Sequence, residues 1–215
     1  MRMGTKENAP ISVVGHTIEE VNDFVYLGCV IAKDGGTDID INKRINKARQ
    51  AFFRLNKIWR SSKMSNTRKL RLFNACVKSV LLYGCETWKA TKGITKKIQT
   101  FVNKCLRRIL RIFWPKTITN EELINISNQE EIDIEIRRQK WKWIGHTLRK
   151  DPQDITRMAM EYNPQGKRKR GRPAMTWRRT VNKELETLGK SWAEIKVIAS
   201  NRIRWRRLVD VLCST

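Results

Sequence analysis

The chain holds few residues equipped to make or break bonds. Two-metal phosphoryl transfer needs converging carboxylates, and Asp38-Ile39-Asp40 stands alone in a basic setting. That spacing suits the acidic first turn of a helix better than a metal site. Nucleophilic triads need a histidine, and there are two: His16 in an expected turn and His146 near an expected helix end. Five cysteines, Cys29, Cys76, Cys85, Cys105 and Cys213, are scattered with no C-x-x-C pair. A zinc ribbon or disulfide framework is therefore not expected, and most of them read as small buried hydrophobes. No Gly-rich phosphate loop is present. The chain as it stands shows no recognisable active site.

Binding chemistry is far better represented. The run Lys167-Arg168-Lys169-Arg170-Gly171-Arg172-Pro173 could lie extended in a narrow minor groove. There Gly171 admits the backbone, Arg170 and Arg172 meet the negative potential, and Pro173 keeps the chain extended. A solvated basic loop and a nuclear-import patch are the alternatives. Eight tryptophans add aromatic surface, several beside cations, as in Lys140-Trp141-Lys142-Trp143, Trp177-Arg178-Arg179 and Arg204-Trp205-Arg206-Arg207. Trp59, Trp143 and Trp205 fall in phase with apolar stripes and are expected in the core. Trp141 and Trp177 are the better candidates to stack on bases.

The whole chain has 215 residues, 45 Lys and Arg, 21 Asp and Glu, and a net charge of +24. Leu, Ile, Val and Phe make up about a quarter of it, enough to expect a core despite that charge. An excess of this size argues against an ordinary metabolic enzyme and for a polyanionic partner, nucleic acid before a membrane surface. No apolar run is long enough to span a bilayer, and the first residues have no signal-peptide core. A nuclear or cytoplasmic location is expected. The charge is uneven: −2 over residues 1–37, +18 over 38–118, −2 over 119–162 and +10 over 163–215.

These residues must be positioned by elements that the hydrophobic period suggests. Residues 1–37 read as β, with a hairpin turning at Gly15-His16 and a strand over Phe24–Ile31. From Asp38 the apolar period becomes helical, through Ile41, Ile45, Ala48, Phe52, Leu55 and Trp59. A second helix fits Thr67 to Tyr83, with Arg68, Lys69, Arg71 and Lys78 outward. A third fits Thr95 to Ile112, with Lys96, Lys97, Lys104, Arg107, Arg108 and Arg111 outward. Further helices are expected over Glu130–Arg149 and Asp154–Glu161, from Thr176 to Leu188, and as one terminal helix from Ser191 through Leu212. Capping boxes at Thr119–Glu122 and Ser191–Glu194 mark two of the starts. The class is mainly α, with a short N-terminal β hairpin or strand, a basic helical bundle and a second small helical C-terminal region.

Several strings together resemble a known family. They are Phe24-Val25-Tyr26-Leu27-Gly28, Leu81-Leu82-Tyr83-Gly84-Cys85-Glu86-Thr87-Trp88, Cys105-Leu106-Arg107-Arg108-Ile109-Leu110, Trp143-Ile144-Gly145-His146, Arg170-Gly171-Arg172-Pro173 and Thr176-Trp177-Arg178-Arg179-Thr180. In this order they resemble the C-terminal third of non-LTR (LINE-type) retrotransposon reverse transcriptases, nearest to the RTE-like branch, whose parent joins an endonuclease to the polymerase. The resemblance implies three segments: 1–37 as a palm remnant, 38–118 as a thumb-like bundle, and 119–215 as a helical C-terminal region with a basic loop over 163–175. It implies that Tyr26, Leu27 and Gly28 position a primer end. A thumb-like face would use Lys43, Arg44, Lys47, Arg54, Arg68, Arg71, Lys104, Arg107, Arg108 and Arg111. A C-terminal face would use Arg168, Arg170, Gly171, Arg172, Pro173, Trp177, Arg178 and Arg179. The family's Tyr/Phe-x-Asp-Asp turn is missing, so no polymerase activity and no cofactor are expected for this chain, and Mg²⁺ only for the missing catalytic part. RNA or DNA is the expected partner, together with an upstream polymerase part. The alternative is that the chain is the tail of a complete RNA-directed DNA polymerase; a third possibility is a decayed element.

Overall fold

Two Gly-containing turns fold the N-terminal stretch. In a computed structural model, which describes residues 9–33, 35–162 and 175–214, strands β1 (Ser12–Val13) and β2 (His16–Thr17) pair antiparallel around Val14-Gly15. Strands β3 (Asp23–Tyr26) and β4 (Cys29–Ala32) pair around Leu27-Gly28. Both turn residues have positive φ in each case, 50° and 78°, then 48° and 80°. This is the two-residue turn whose twist matches that of its strands. The single strand expected over Phe24–Ile31 is thus a second hairpin, because Gly28 reverses the chain in its middle. The first turn lies one residue earlier than expected, and His16 starts a strand.

The chain packs as two compact units. One comprises the residues up to Tyr83 with Arg108–Leu110; the other comprises Gly84–Arg107 with the residues from Arg111 onward. The three segments expected from charge and resemblance divide the chain differently from these packing units.

In the first unit β4 lies on helix α1 (Asp38–Arg54), burying Val30 and Ala32. Asp38 and Asp40 do form the acidic first turn. Asp40 Oδ1 also accepts the Val30 amide at 2.9 Å, fastening strand to helix. Helix α1 buries Ile41, Ile45, Ala48 and Phe52. Phe52 stacks on Trp59 of α2 (Asn56–Arg60), with ring centroids 5.1 Å apart, and meets Phe73 of α3 (Asn66–Phe73) edge-on at 6.3 Å. From α3 the chain passes through a π-helical turn, Asn74–Lys78, into the short α4 (Ser79–Leu81). Lys69 and Lys78, expected outward, are buried. The Lys69 ammonium donates to the Trp59 carbonyl at 3.1 Å, satisfying a helix-end acceptor that the core would otherwise strand.

The second unit opens at Gly84, whose φ of 76° leads into a 3₁₀ turn, Cys85–Thr87. Helix α5 (Lys92–Leu110) follows, then α6 (Asn120–Ser127), α7 (Ile132–Leu148), α8 (Ile155–Glu161), α9 (Trp177–Thr187), α10 (Trp192–Ser200) and α11 (Arg202–Ser214). Both expected capping boxes are present, at Thr119–Glu122 and Ser191–Glu194. The terminal helix expected as one piece is two. Asn201 breaks it with an extended backbone, and its Oδ1 accepts the amides of Ile203 (2.9 Å) and Arg204 (3.1 Å). The core joins Trp141, Ile144 and Leu148 of α7 with Val181, Leu185, Ile195, Trp205, Leu208 and Leu212. Trp205 crosses α7 where Gly145 has no side chain; a Cβ there would fall 2.1 Å from the indole nitrogen. That nitrogen donates to the Trp141 carbonyl at 3.1 Å.

The fold is therefore mainly α with short N-terminal antiparallel strand pairs. Among the described residues no helix is long and apolar enough to cross a membrane.

Candidate nucleic-acid interface

On α1 the helical period sorts the cations. Lys43, Lys47 and Arg54 are exposed and lie two residues out of step with Ile41, Ile45 and Phe52, hence on the opposite side of the cylinder. Arg68 and Arg71 are exposed on α3, one turn apart. Lys43 also lies 3.6 Å from Asp23 Oδ2, and Lys47 Nζ lies 3.5 Å from the Gly28 carbonyl oxygen.

Arg44 differs from its neighbours and corrects an expectation. It is 5 % exposed, its guanidinium sits 4.5 Å from the centroid of the Tyr83 ring, it donates to Cys29 Sγ at 3.1 Å, and Nε is 3.8 Å from Asp40 Oδ1. A cation held on an aromatic face beside a carboxylate supports the fold. Its guanidinium is buried rather than presented to solvent, as the expected thumb-like face would require.

The tip of the second hairpin rises next to this group. Tyr26 and Leu27 are exposed at 58 % and 73 %, and Phe24 stacks on Tyr26 at 6.4 Å on the same face of β3. A Cβ on Gly28 would stand 3.7 Å from the Arg44 guanidinium. Tyr26, Leu27 and Gly28 thus sit together with Lys47 at one solvent-facing edge of the first unit. Arg108, half-buried, lies over the ring of Phe53 at 5.7 Å.

In the second unit α5 presents Lys96, Lys97 and Lys104 to solvent while Ile98, Val102 and Leu106 are buried. Arg107 is spent on structure: it donates to the Ile118 carbonyl (3.3 Å) and Asn120 Oδ1 (2.9 Å). Arg111 is exposed in the left-handed cap of α5. Arg168, Arg170, Gly171, Arg172 and Pro173 lie outside the described residues.

The two tryptophans expected to stack part company. Trp141 is fully buried, and its indole donates to Glu184 Oε2 at 2.6 Å. The neighbouring Lys140, equally buried, pairs with Glu184 Oε1 at 2.7 Å. Burial lowers the Lys140 pKa and the Glu184 carboxylate opposes that. Trp141 is therefore a core residue. Trp177 stays half-exposed: its indole donates to the Glu86 carbonyl at 2.7 Å and its ring meets Trp143 edge-on at 6.0 Å. Arg178 donates to the carbonyls of Met160 (2.7 Å) and Tyr162 (2.8 Å), and Arg179 is half-exposed beside it.

The structure also displays cations that the sequence-based set omits. Arg202, Arg204, Arg206 and Arg207 are all exposed on α11, and Lys142 is exposed on α7. The signal was available, because Trp205 points inward and the helical period then turns its arginine neighbours outward. Among the described residues no cluster of three or more His, Cys, Asp or Glu side chains could hold a metal ion.

The chain is similar to a transposon-derived protein. Over 204 residues it is 25% identical to an uncharacterized transposon-derived protein of Caenorhabditis elegans, covering 89% of this chain and 71% of that protein. A family model described as a domain of unknown function (DUF6451) matches residues 51–83, from the last turn of α1 to the end of the first unit's main segment. No solved structure matches the chain.

Proposed function

We propose that the chain is the nucleic-acid-gripping end of a non-LTR, LINE-type retrotransposon reverse transcriptase, holding RNA, DNA or their hybrid by its backbone and performing no catalysis itself. The observation that carries this is the exposed row Lys43, Lys47 and Arg54 on α1, opposite the buried stripe. At 1.5 Å per residue the row spans about 16 Å, the axial rise of roughly five phosphates on one strand. Arg68 and Arg71 of α3 add charge in the same unit. In the second unit Lys96, Lys97 and Lys104 of α5 and the arginines of α11 supply further cations. The similarity to a transposon-derived protein and the ordered family strings support the lineage.

Each phosphate neutralised releases condensed counterions, so affinity falls with log salt by about 0.9 per contact on duplex DNA. The exposed Tyr26-Leu27-Gly28 tip, with Lys47 beside it, is proposed to meet a strand end. No step passes through a metal.

Fluorescence anisotropy with a labelled duplex and a labelled RNA–DNA hybrid tests the grip. Binding should tighten steeply as salt falls from about 200 to 50 mM. A flat response would sink the proposal. Extension of a primed RNA template by the purified chain with Mg²⁺ would refute the non-catalytic part.

A further inference from the structure

A cavity of about 310 Å³ opens in the second unit between α8, α9 and α10. That is the small end of the range of ligand pockets, roughly 300 to 1,000 Å³. Met160 and Val181 supply apolar lining, and Trp177 and Trp192 contribute indoles from two different helices. Asn182, Arg178, Lys196 and Glu161 bring polar groups.

The chemistry of this lining is selective. Trp177 has its N–H engaged by the Glu86 carbonyl and its ring near-perpendicular to that of Trp143. With its N–H already engaged, what it offers the cavity is ring surface rather than a hydrogen bond. Trp192 opens α10 directly after the Ser191–Glu194 capping box, which fixes the backbone that carries it. Arg178 is held by two carbonyl oxygens, which set its position without adding a negative charge. Lys196 lies 3.0 Å from Glu161, and Arg157 lies 3.6 Å from the same carboxylate, so two cations share one anion. The Asn182 amide, on the exposed side, can both donate and accept. Aromatic faces, a cation fixed beside them and an amide at the rim match a nucleobase attached to a phosphate.

We propose that this pocket receives one unpaired nucleobase of a single strand, stacked on the indoles of Trp177 and Trp192, with its phosphate on Arg178. This rests on the nucleic-acid reading above and adds a preference for unpaired over paired strands. A base inside a duplex cannot enter, because both of its faces are already stacked.

The test uses the full chain and a short single strand carrying 2-aminopurine at one position, with the same strand annealed to its complement as control. Binding of the single strand should quench the fluorescent base several-fold, and binding of the duplex should not. Trp192→Ala should abolish the quench and weaken single-strand binding about tenfold, since one base–aromatic stack contributes roughly that factor or more. Duplex affinity should stay within about twofold of the parent. Asn182→Phe starts from an exposed position, fills the cavity without removing any core side chain, and should remove the quench in the same way. It decides the matter should Trp192→Ala fail to fold. A quench that survives Asn182→Phe, or single-strand and duplex affinities that fall together, would overturn the pocket. Parent protein that binds both strands without quenching would also overturn it, leaving the phosphate grip standing; parent protein that binds neither at low salt would overturn both.

Discussion

Gly145 carries no side chain because the Trp205 indole occupies the space one would need. A Cβ 2.1 Å from an indole nitrogen cannot be accommodated unless α11 moves. Gly145→Ala should therefore destabilise the protein by about 2–3 kcal/mol, the upper part of the range for overpacking. Equilibrium urea unfolding measures it, and an unchanged midpoint would refute the contact. Cys85 acts at the same scale through its proton. Burial first, then the carboxylates of Glu86 and Glu135, raise the thiol well above its ordinary value of 9.0, while Lys140 opposes them. The buried thiol lies 3.0 Å from Gln139 Oε1, to which it donates. The unfolded chain releases that proton near pH 9 and the folded chain keeps it, so this stabilisation is complete below pH 9 and declines above. Between about pH 9 and 10 the parent should lose up to about 1.4 kcal/mol more per pH unit than Cys85→Ala. Parallel slopes for the two proteins would contradict the assignment.

Elements show where periodicity suffices and where it fails. Buried stripes at helical spacing place Ile41, Ile45, Ala48 and Phe52 on one side of α1, and Ile98, Val102, Leu106 and Ile109 on one side of α5. Both capping boxes could be read from Thr119 and Ser191, since three-residue spacing to a glutamate is a local pattern. The Asn201 break is equally local, but the apolar period runs through it without interruption and masks it. Its side chain holds two amides at the start of α11. Asn201→Ala should cost about 1 kcal/mol, measured by thermal or urea unfolding; no loss would show the cap to be dispensable. Arg44, Lys69 and Trp141 escaped the sequence for another reason. Each belongs by residue type to the surface or to a ligand, and each is drawn inward by partners distant in the chain, Tyr83, the Trp59 carbonyl and Glu184. Long-range pairing of a polar group with its acceptor leaves no trace in local period. The Leu27-Gly28 reversal was hidden because a β-branched and aromatic run reads as one strand until a positive φ divides it.

At the scale of the whole molecule the +24 charge is not spread evenly over function. Arg44, Arg107 and Lys140 are engaged by internal partners, whereas Lys47, Arg54, Arg68 and Arg71 are exposed, and the proposed grip rests on cations of the second kind. Removing one exposed cation should weaken binding uniformly, whatever the base sequence. Lys47→Gln should lower affinity several-fold at about 100 mM salt and reduce the salt slope by about one. Arg44→Gln should instead lower stability and leave the slope unchanged. Anisotropy titrations across salt separate the two outcomes, and equal slope changes would erase the distinction drawn between exposed and buried arginine. The ordered strings have structural reasons that differ. Gly84, Cys85, Glu86 and Trp88 build a turn that accepts the Trp177 indole, and Gly145 makes room for Trp205.

The eight tryptophans also divide unequally between the packing units. Trp59 alone belongs to the first, and Trp88, Trp114, Trp141, Trp143, Trp177, Trp192 and Trp205 belong to the second. Intrinsic emission is consequently a nearly private optical channel for the second unit, and Trp59→Phe would make it wholly so. Far-ultraviolet dichroism, by contrast, registers helices on both sides of Gly84. Transitions that fail to coincide in the two signals would register separate melting of the two units, without any extrinsic label.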